Sequence, residues 1–290
     1  MTAILARSPA TVGLLLDLDP DLGTRIAVHE RELARRACTC ELAHTSRGPS
    51  DLQALAQNRD DLVGLLIVKG LLVRELALSD RHMIELLGPG DILQPPVTDA
   101  SPRLGGSTTL NAATNTVMAI LEQPFIRAAA RWPSLLATIQ HRAETQREYL
   151  AIQGLIAHLP RAEHRVLLLL WHLTRRWGYV TPNGTLLPLP LGHDLLSQLA
   201  AARRSTTTIA IGALQAEGYL QRLDDGSWLL TPAAEHKVTA IATTNKAAPV
   251  IRGTFALGHR IRGVAGQPRA LRAQPSPTHA TPRTTRQRSI

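Results

Sequence analysis

Six consecutive residues, Arg203, Arg204, Ser205, Thr206, Thr207 and Thr208, set two guanidinium groups beside four hydroxyls. They open a segment with helical spacing, so the donors stand at a helix N-terminus, where unpaired backbone N–H groups and the helix dipole also favour negative charge. Such an end suits phosphates and base edges: arginine takes guanine in a bidentate grip, and Ser and Thr bond phosphate or either kind of base edge. The plainer alternative is that one hydroxyl caps the helix and the arginines are solvated. What surrounds the cluster argues against it.

The positioning elements lie in residues 191–230, LGHDLLSQLAAARRSTTTIAIGALQAEGYLQRLDDGSWLL. Leu195, Leu196 and Leu199 share one face of a short helix, and Ala210, Ile211 and Leu214 one face of a second. Ala201 to Arg204 between them has room only for a sharp corner. Gly218 stops the second helix, and Asp224-Asp225-Gly226 turns a hairpin between Leu220-Gln221-Arg222 and Trp228-Leu229-Leu230. The pattern is helix, turn, helix and two-stranded wing.

Val166 to Leu230, beginning VLLLLWHLTRRWGYV, resembles the winged-helix domain of the Crp-Fnr family of bacterial transcription regulators, named for the cyclic-AMP receptor protein. The resemblance implies sequence-specific recognition of double-stranded DNA, with Arg203, Arg204, Ser205, Thr206 and Thr208 at the interface. By position, Arg204 matches the family's principal base-reading arginine, Ser205 its next base-contacting position and Thr206 a phosphate-contacting threonine. Ser205 stands where the best-known members carry an acid, so their target sequence does not transfer. Ala201 replaces a common turn glycine and Gly192 a common capping Thr. Ile209 falls where a groove-facing polar residue can sit; either it meets a thymine methyl or the register is off by one.

The chain of 290 residues is long enough for two domains. Its net charge of +9 is uneven: nine of the 32 basic residues follow Ile241 with no acid among them, which leaves 23 basic against 23 acidic side chains before it. The basicity belongs to the tail, so a DNA argument rests on the helix-turn-helix and not on overall charge. Cys38 and Cys40 supply two ligands where zinc needs four, or three and a water, so two idle reduced thiols and no metal are expected. The longest apolar run, Val166 to Trp171, falls far short of the roughly 18 residues of a membrane span. Asp17 and Asp19 follow the N-terminal apolar stretch without a clean cleavage site, so a cytoplasmic protein without membrane contact is expected.

Residues 1–60 read as irregular, with a helical piece over Arg25 to Arg36. Leu62 to Val68, Leu71 to Leu76, His82 to Leu87 and Val117 to Leu121 then read as short strands punctuated by Gly70 and Gly88-Pro89-Gly90-Asp91, the texture of an antiparallel roll. The stretch from Glu85 to Asp91 resembles the strand and turn that precede the effector pocket in the family's β-roll. The Gly-Glu pair of its nucleotide-binding members is missing from 92–103, where Pro95, Pro96 and Pro102 intervene and Arg103 is the lone arginine. Cyclic AMP is therefore not expected as a ligand, no cofactor is implied, and the effector site is unassigned.

Ser134 to His158 carries a helical pattern whose stripe of Leu135, Ile139, Tyr149, Ile152, Leu155 and Ile156 is broken by Gln146 and Gln153. The family's equivalent helix joins the domains and pairs two protomers, which implies a homodimer on an inverted repeat. The resemblance also allows RNA polymerase as a partner. The expected fold is α+β: a cyclic-nucleotide-binding-like β-roll with an irregular N-terminus over 1–133, a connecting helix over 134–158, a winged helix over 159–235 and a basic, disordered tail over 236–290. In the core helix from Val166 to Trp177, and in the wing, Trp171, Trp177 and Trp228 are expected to knit the C-terminal module together. No paired carboxylates, phosphate loop, nucleophile elbow or His-metal spacing suggests an enzyme. A winged helix serving as a protein-binding module is the alternative.

Overall fold

The computed structural model describes residues 11–50, 52, 59, 61–94 and 107–244; the proline-interrupted segment with Arg103 and the basic stretch 245–290 lie outside the described residues. The N-terminal part is built on two antiparallel sheets. One comprises β1 (Thr11–Leu14), β2 (Thr39–Thr45), β4 (Leu62–Lys69), β7 (Ile92–Leu93) and β9 (Thr116–Glu122), in the order β1-β2-β9-β4-β7. The other comprises β3 (Gly48–Pro49), β5 (Leu72–Leu78), β6 (Arg81–Leu87) and β8 (Ser107–Ala112), in the order β3-β8-β5-β6.

β4 is apolar along its length because both of its faces are covered. Leu65 and Ile67 pack in the same core as Leu72, Leu87, Met118 and Ile120. Leu66 and Val68, on the opposite pleat, meet Leu15 and Leu16 of α1 (Leu15–Leu18), Phe125 of α3 (Gln123–Ala129), and Trp132. Gly70, at φ +97, turns the chain from one sheet into the other at the expected corner.

Three sequence expectations are corrected here. Residues 11–45 are not irregular: β1 pairs with β2, and β2 with β9. β2 is hard to see in the sequence because Glu41 interrupts it, and that charge is held by Arg59, which also binds Glu122 at 2.5 Å. The helical piece shortens to α2 (Arg31–Ala37) behind a 3-10 turn, Val28–Glu30. Finally, the chain is helical beyond residue 236. α8 (Pro232–Thr244) buries Ala234, Val238 and Ile241, a helical spacing, in the core of the C-terminal part. Its Ala and Thr content gave too weak a stripe to read.

α4 (Pro133–Ala157) is the long helix expected from the sequence. Its two glutamines do not break the buried stripe but belong to it. Gln146 Nε2 donates to Glu85 Oε1 at 3.0 Å while its Oε1 accepts from Ile92 N–H at 3.1 Å, and Gln153 Nε2 donates to the Ile84 carbonyl at 2.6 Å. The exposed side of α4 is polar from Gln140 to Glu148 and turns apolar only at Ile152 and Leu155.

The C-terminal part follows as α5 (Ala162–Trp177), the hairpin β10 (Tyr179–Thr181) and β11 (Gly184–Leu187), α6 (His193–Leu199), α7 (Arg204–Ala216), β12 (Leu220–Arg222), β13 (Trp228–Leu230) and α8. The four strands form one sheet, β10-β11-β13-β12. One apolar core joins Val166, Leu169, Leu170 and Leu173 of α5 to Leu196, Ile211, Leu214 and Trp228, and it continues into Val73, Ile84 and Leu86 of the roll. Trp228 is buried in this core as expected and Trp171 and Trp177 pack against it partly buried, Trp177 also reaching Gly88 of the roll.

Candidate nucleic-acid interface

α6 and α7 meet through a corner at residues 200–203. Its tightest point is Ala201, at φ +47, a left-handed conformation for which glycine is the usual choice. Local bonds hold it: Ala202 N–H donates to the Ser197 carbonyl at 2.9 Å, and Arg165 Nη1 of α5 donates to the Ala201 carbonyl at 2.9 Å. Beneath the corner, Thr207, Ala210, Ile211 and Leu214 form the buried face of α7. That burial leaves Arg203, Arg204, Ser205, Thr206 and Thr208 exposed at the N-terminal end.

Arg203 occupies the N-cap in an extended conformation, and no side chain caps the helix. Ser205, Thr206 and Thr208 are therefore not spent as caps, and the first-turn N–H groups are directed out of the helix among them. Two neighbours went unread in the sequence. Asp194 pairs with Arg204, Nε to Oδ1 at 2.9 Å, with both side chains about two-thirds exposed. His193 Nδ1 lies 3.0 Å from Thr208 Oγ1. An ion pair this exposed is worth only ~0–1 kcal/mol, so Arg204 can leave Asp194 for another acceptor at small cost. No local pattern in the sequence marks them: the corner between α6 and α7 is what brings them to Arg204 and Thr208.

The wing is fixed by its last turn. Trp228, fully buried, donates its indole N–H to the Leu191 carbonyl at 3.0 Å. Asp225 Oδ1 accepts from Ser227 N–H at 2.9 Å and Ser227 Oγ at 2.5 Å, and these bonds hold its carboxyl below the usual range. The wing tip thus carries negative charge on Asp225 beside exposed Asp224. Ile209 is 70% exposed, on the same helix as the arginines.

Among the described residues no group of three or more His, Cys, Asp and Glu is placed to hold a metal ion. Cys38 and Cys40 are buried, and burial pushes the Cys40 thiol up to about 11. No described helix is long and apolar enough to cross a membrane. On the roll side, a cleft of about 480 Å³ is lined by Asp19, Asp91, Arg142, Gln146, Tyr149 and Arg176. Both arginines in it are neutralised, Arg142 by Asp19 and Arg176 by Asp91.

The class these elements define is a two-part α+β protein, a cyclic-nucleotide-binding-type β-roll joined by one long helix to a winged helix-turn-helix. A cyclic nucleotide-binding domain containing protein from Listeria monocytogenes has this fold over 66% of the present chain and 89% of its own, with 12% identity and a TM-score of 0.53. Two further solved structures are alike at a lower level. FixK2 from Bradyrhizobium japonicum matches 71% of this chain and 98% of its own, at 17% identity and TM-score 0.49. A CRP/FNR family transcriptional regulator from Thermus thermophilus matches 69% and 98%, at 19% identity and TM-score 0.45. No family model matches the sequence, and no curated protein matches it.

Proposed function

We propose that this protein is a sequence-specific DNA-binding transcription regulator of the Crp-Fnr type, not an enzyme, that binds as a homodimer; its effector is unassigned and cyclic AMP is not expected to be one. The observation that carries the reading is the uncapped N-terminus of α7, where Arg203, Arg204, Ser205, Thr206 and Thr208 stand exposed on a helix whose other face is buried. In the major groove, Arg204 exchanges Asp194 for guanine O6 and N7, Ser205 meets the next base edge, and Thr206 and the first-turn N–H groups take phosphate. Exposed Ile152 and Leu155 at the end of α4 favour pairing of two protomers there. RNA polymerase is a further partner on this reading.

Selection from a random duplex pool with the full chain tests the proposal: an inverted repeat should emerge. Arg204→Ala should then cost roughly 1–3 kcal/mol on that site and relax preference at one base pair per half-site. Ile209, apolar and exposed, favours a second reading in which α7 docks a protein. A pool that yields no enriched sequence would decide for it.

A further inference from the structure

The reading helix is useful to a dimer only if its orientation relative to the roll is set, and the structure contains a directional contact that sets it. We infer that Arg176 and Trp177, the last two residues of α5, are positioning residues that clamp the winged helix onto the 88–91 turn of the roll. This rests on the DNA-binding reading for its purpose, though not for its geometry.

The turn is a rigid anchor. Gly88 N–H donates to Asp91 Oδ2 at 2.7 Å, Asp91 N–H to the Gly88 carbonyl at 3.0 Å, and Gly90 N–H to the Ile67 carbonyl of β4 at 2.9 Å. With Gly88 holding one carboxylate oxygen, the other, Oδ1, binds Arg176, and each side chain of that pair is only about a tenth exposed. The guanidinium also lies 4.1 Å from the centre of the Trp177 ring and 5.1 Å from that of Tyr149 on α4. Trp177 Nε1 donates to the Pro89 carbonyl at 3.3 Å. Its ring comes so close to Gly88 that a Cβ there would sit 2.8 Å from it, so any side chain at this point would displace the ring.

Beyond the turn, α5 meets the roll through Arg176 Nη1, which donates to the Leu86 carbonyl at 3.4 Å, and through the apolar core at Val73, Ile84 and Leu86, while His172 Nε2 lies 2.9 Å from the Tyr149 carbonyl of α4. Apolar contact is non-directional and tolerates sliding, whereas a buried ion pair and a ring fitted to a glycine each accept one registry. Because α5 shares its core with α7, whatever fixes α5 fixes the reading helix.

Two readouts test the clamp on the full chain. Spin labels at Asp80→Cys, in the β5–β6 turn, and Asp224→Cys, in the wing, report the distance between the parts without DNA; the native thiols are buried. With labelled chain diluted in excess unlabelled chain, so that only distances within one protomer are read, the parent should give one narrow distance, and Arg176→Ala and Asp91→Asn broad ones, with cooperative melting retained. Trp177→Phe, which removes the N–H to Pro89 together with the indole edge against Gly88 but leaves the Arg176–Asp91 pair, is the milder variant should the others fail to fold. On operators whose half-site spacing is changed by one base pair, the parent should lose about tenfold in affinity and Arg176→Ala far less, with base preference inside each half-site unchanged. Clamp variants that keep the parent's narrow distance overturn the inference. A parent that selects no operator defeats the DNA reading instead, while the distances still judge the clamp.

Discussion

Gln146→Leu separates two accounts of the long helix. If Gln146 merely interrupts an apolar stripe, leucine repairs the stripe and the protein gains stability. In the structure, however, Gln146 bridges two groups that have little else to turn to: Ile92 N–H and the carboxylate of Glu85, which is 2% exposed. Leucine would strand the N–H, at a cost of ~1–3 kcal/mol, and remove a donor from a buried carboxylate, at a similar cost. Arg74 remains paired with Glu85 and limits the second loss. Against these stands a gain of roughly 1.5–3 kcal/mol for burying leucine, reduced because the methylenes of glutamine are already buried. The balance is a destabilisation of about 1–3 kcal/mol, or a melting point lower by roughly 2–12 °C at 2–4 °C per kcal/mol for a unit of this size. Scanning calorimetry at neutral pH measures it. A variant that melts at or above the parent's temperature would refute the bridge.

Other outcomes follow from buried titratable groups and from the tail. His172 is buried, which lowers its pKa from the usual 6.5, and its Nε2 lies 2.9 Å from the Tyr149 carbonyl. The folded state then binds fewer protons than the unfolded one below that value, so this residue's stability is present above pH 6.5 and lost as the pH falls toward the folded pKa. His172→Gln should lower stability at neutral pH and narrow its deficit on acidification; a deficit that does not change with pH counts against it. Cys38 and Cys40 should resist Ellman's reagent until the protein unfolds, since burial raises both thiols; prompt labelling of the native chain would contradict this. Removing residues 246–290, with their nine positive charges and no acids, should flatten the salt dependence of DNA binding and weaken operator and scrambled duplex alike. Loss of operator preference alone would make the tail a reading element.

The C-terminal part was legible because its signals are local. Gly218 and Asp224-Asp225-Gly226 each lie within a few residues of the helix or strand they end, and the structure has the helix stop and the hairpin turn there. The roll was harder because its strands obey distant partners. β2 hides behind Glu41, whose charge is answered by an arginine eighteen residues away, and β8, STTLNA, has the polarity of a loop until β5 and β3 pair with it. At the candidate site the exposed donors could be read, but Asp194 and His193 could not be assigned, because only the folded corner brings α6 against the first turn of α7. The Arg176 and Trp177 contacts were invisible for the same reason: their partners lie nearly ninety residues earlier.

The wing's acidic tip bears on how the protein would sort polyanions. Asp225 stays ionised well into acid because Ser227 holds it, and Asp224 beside it is open to solvent. Exposed Arg222 lies on the same wing, near Gly226, and offsets part of this charge, so the tip should attract phosphate less than the N-terminus of α7 does. On the DNA-binding reading, protection of bound DNA should then centre on the groove that receives α7 and the phosphates beside it and be weaker where the wing tip lies.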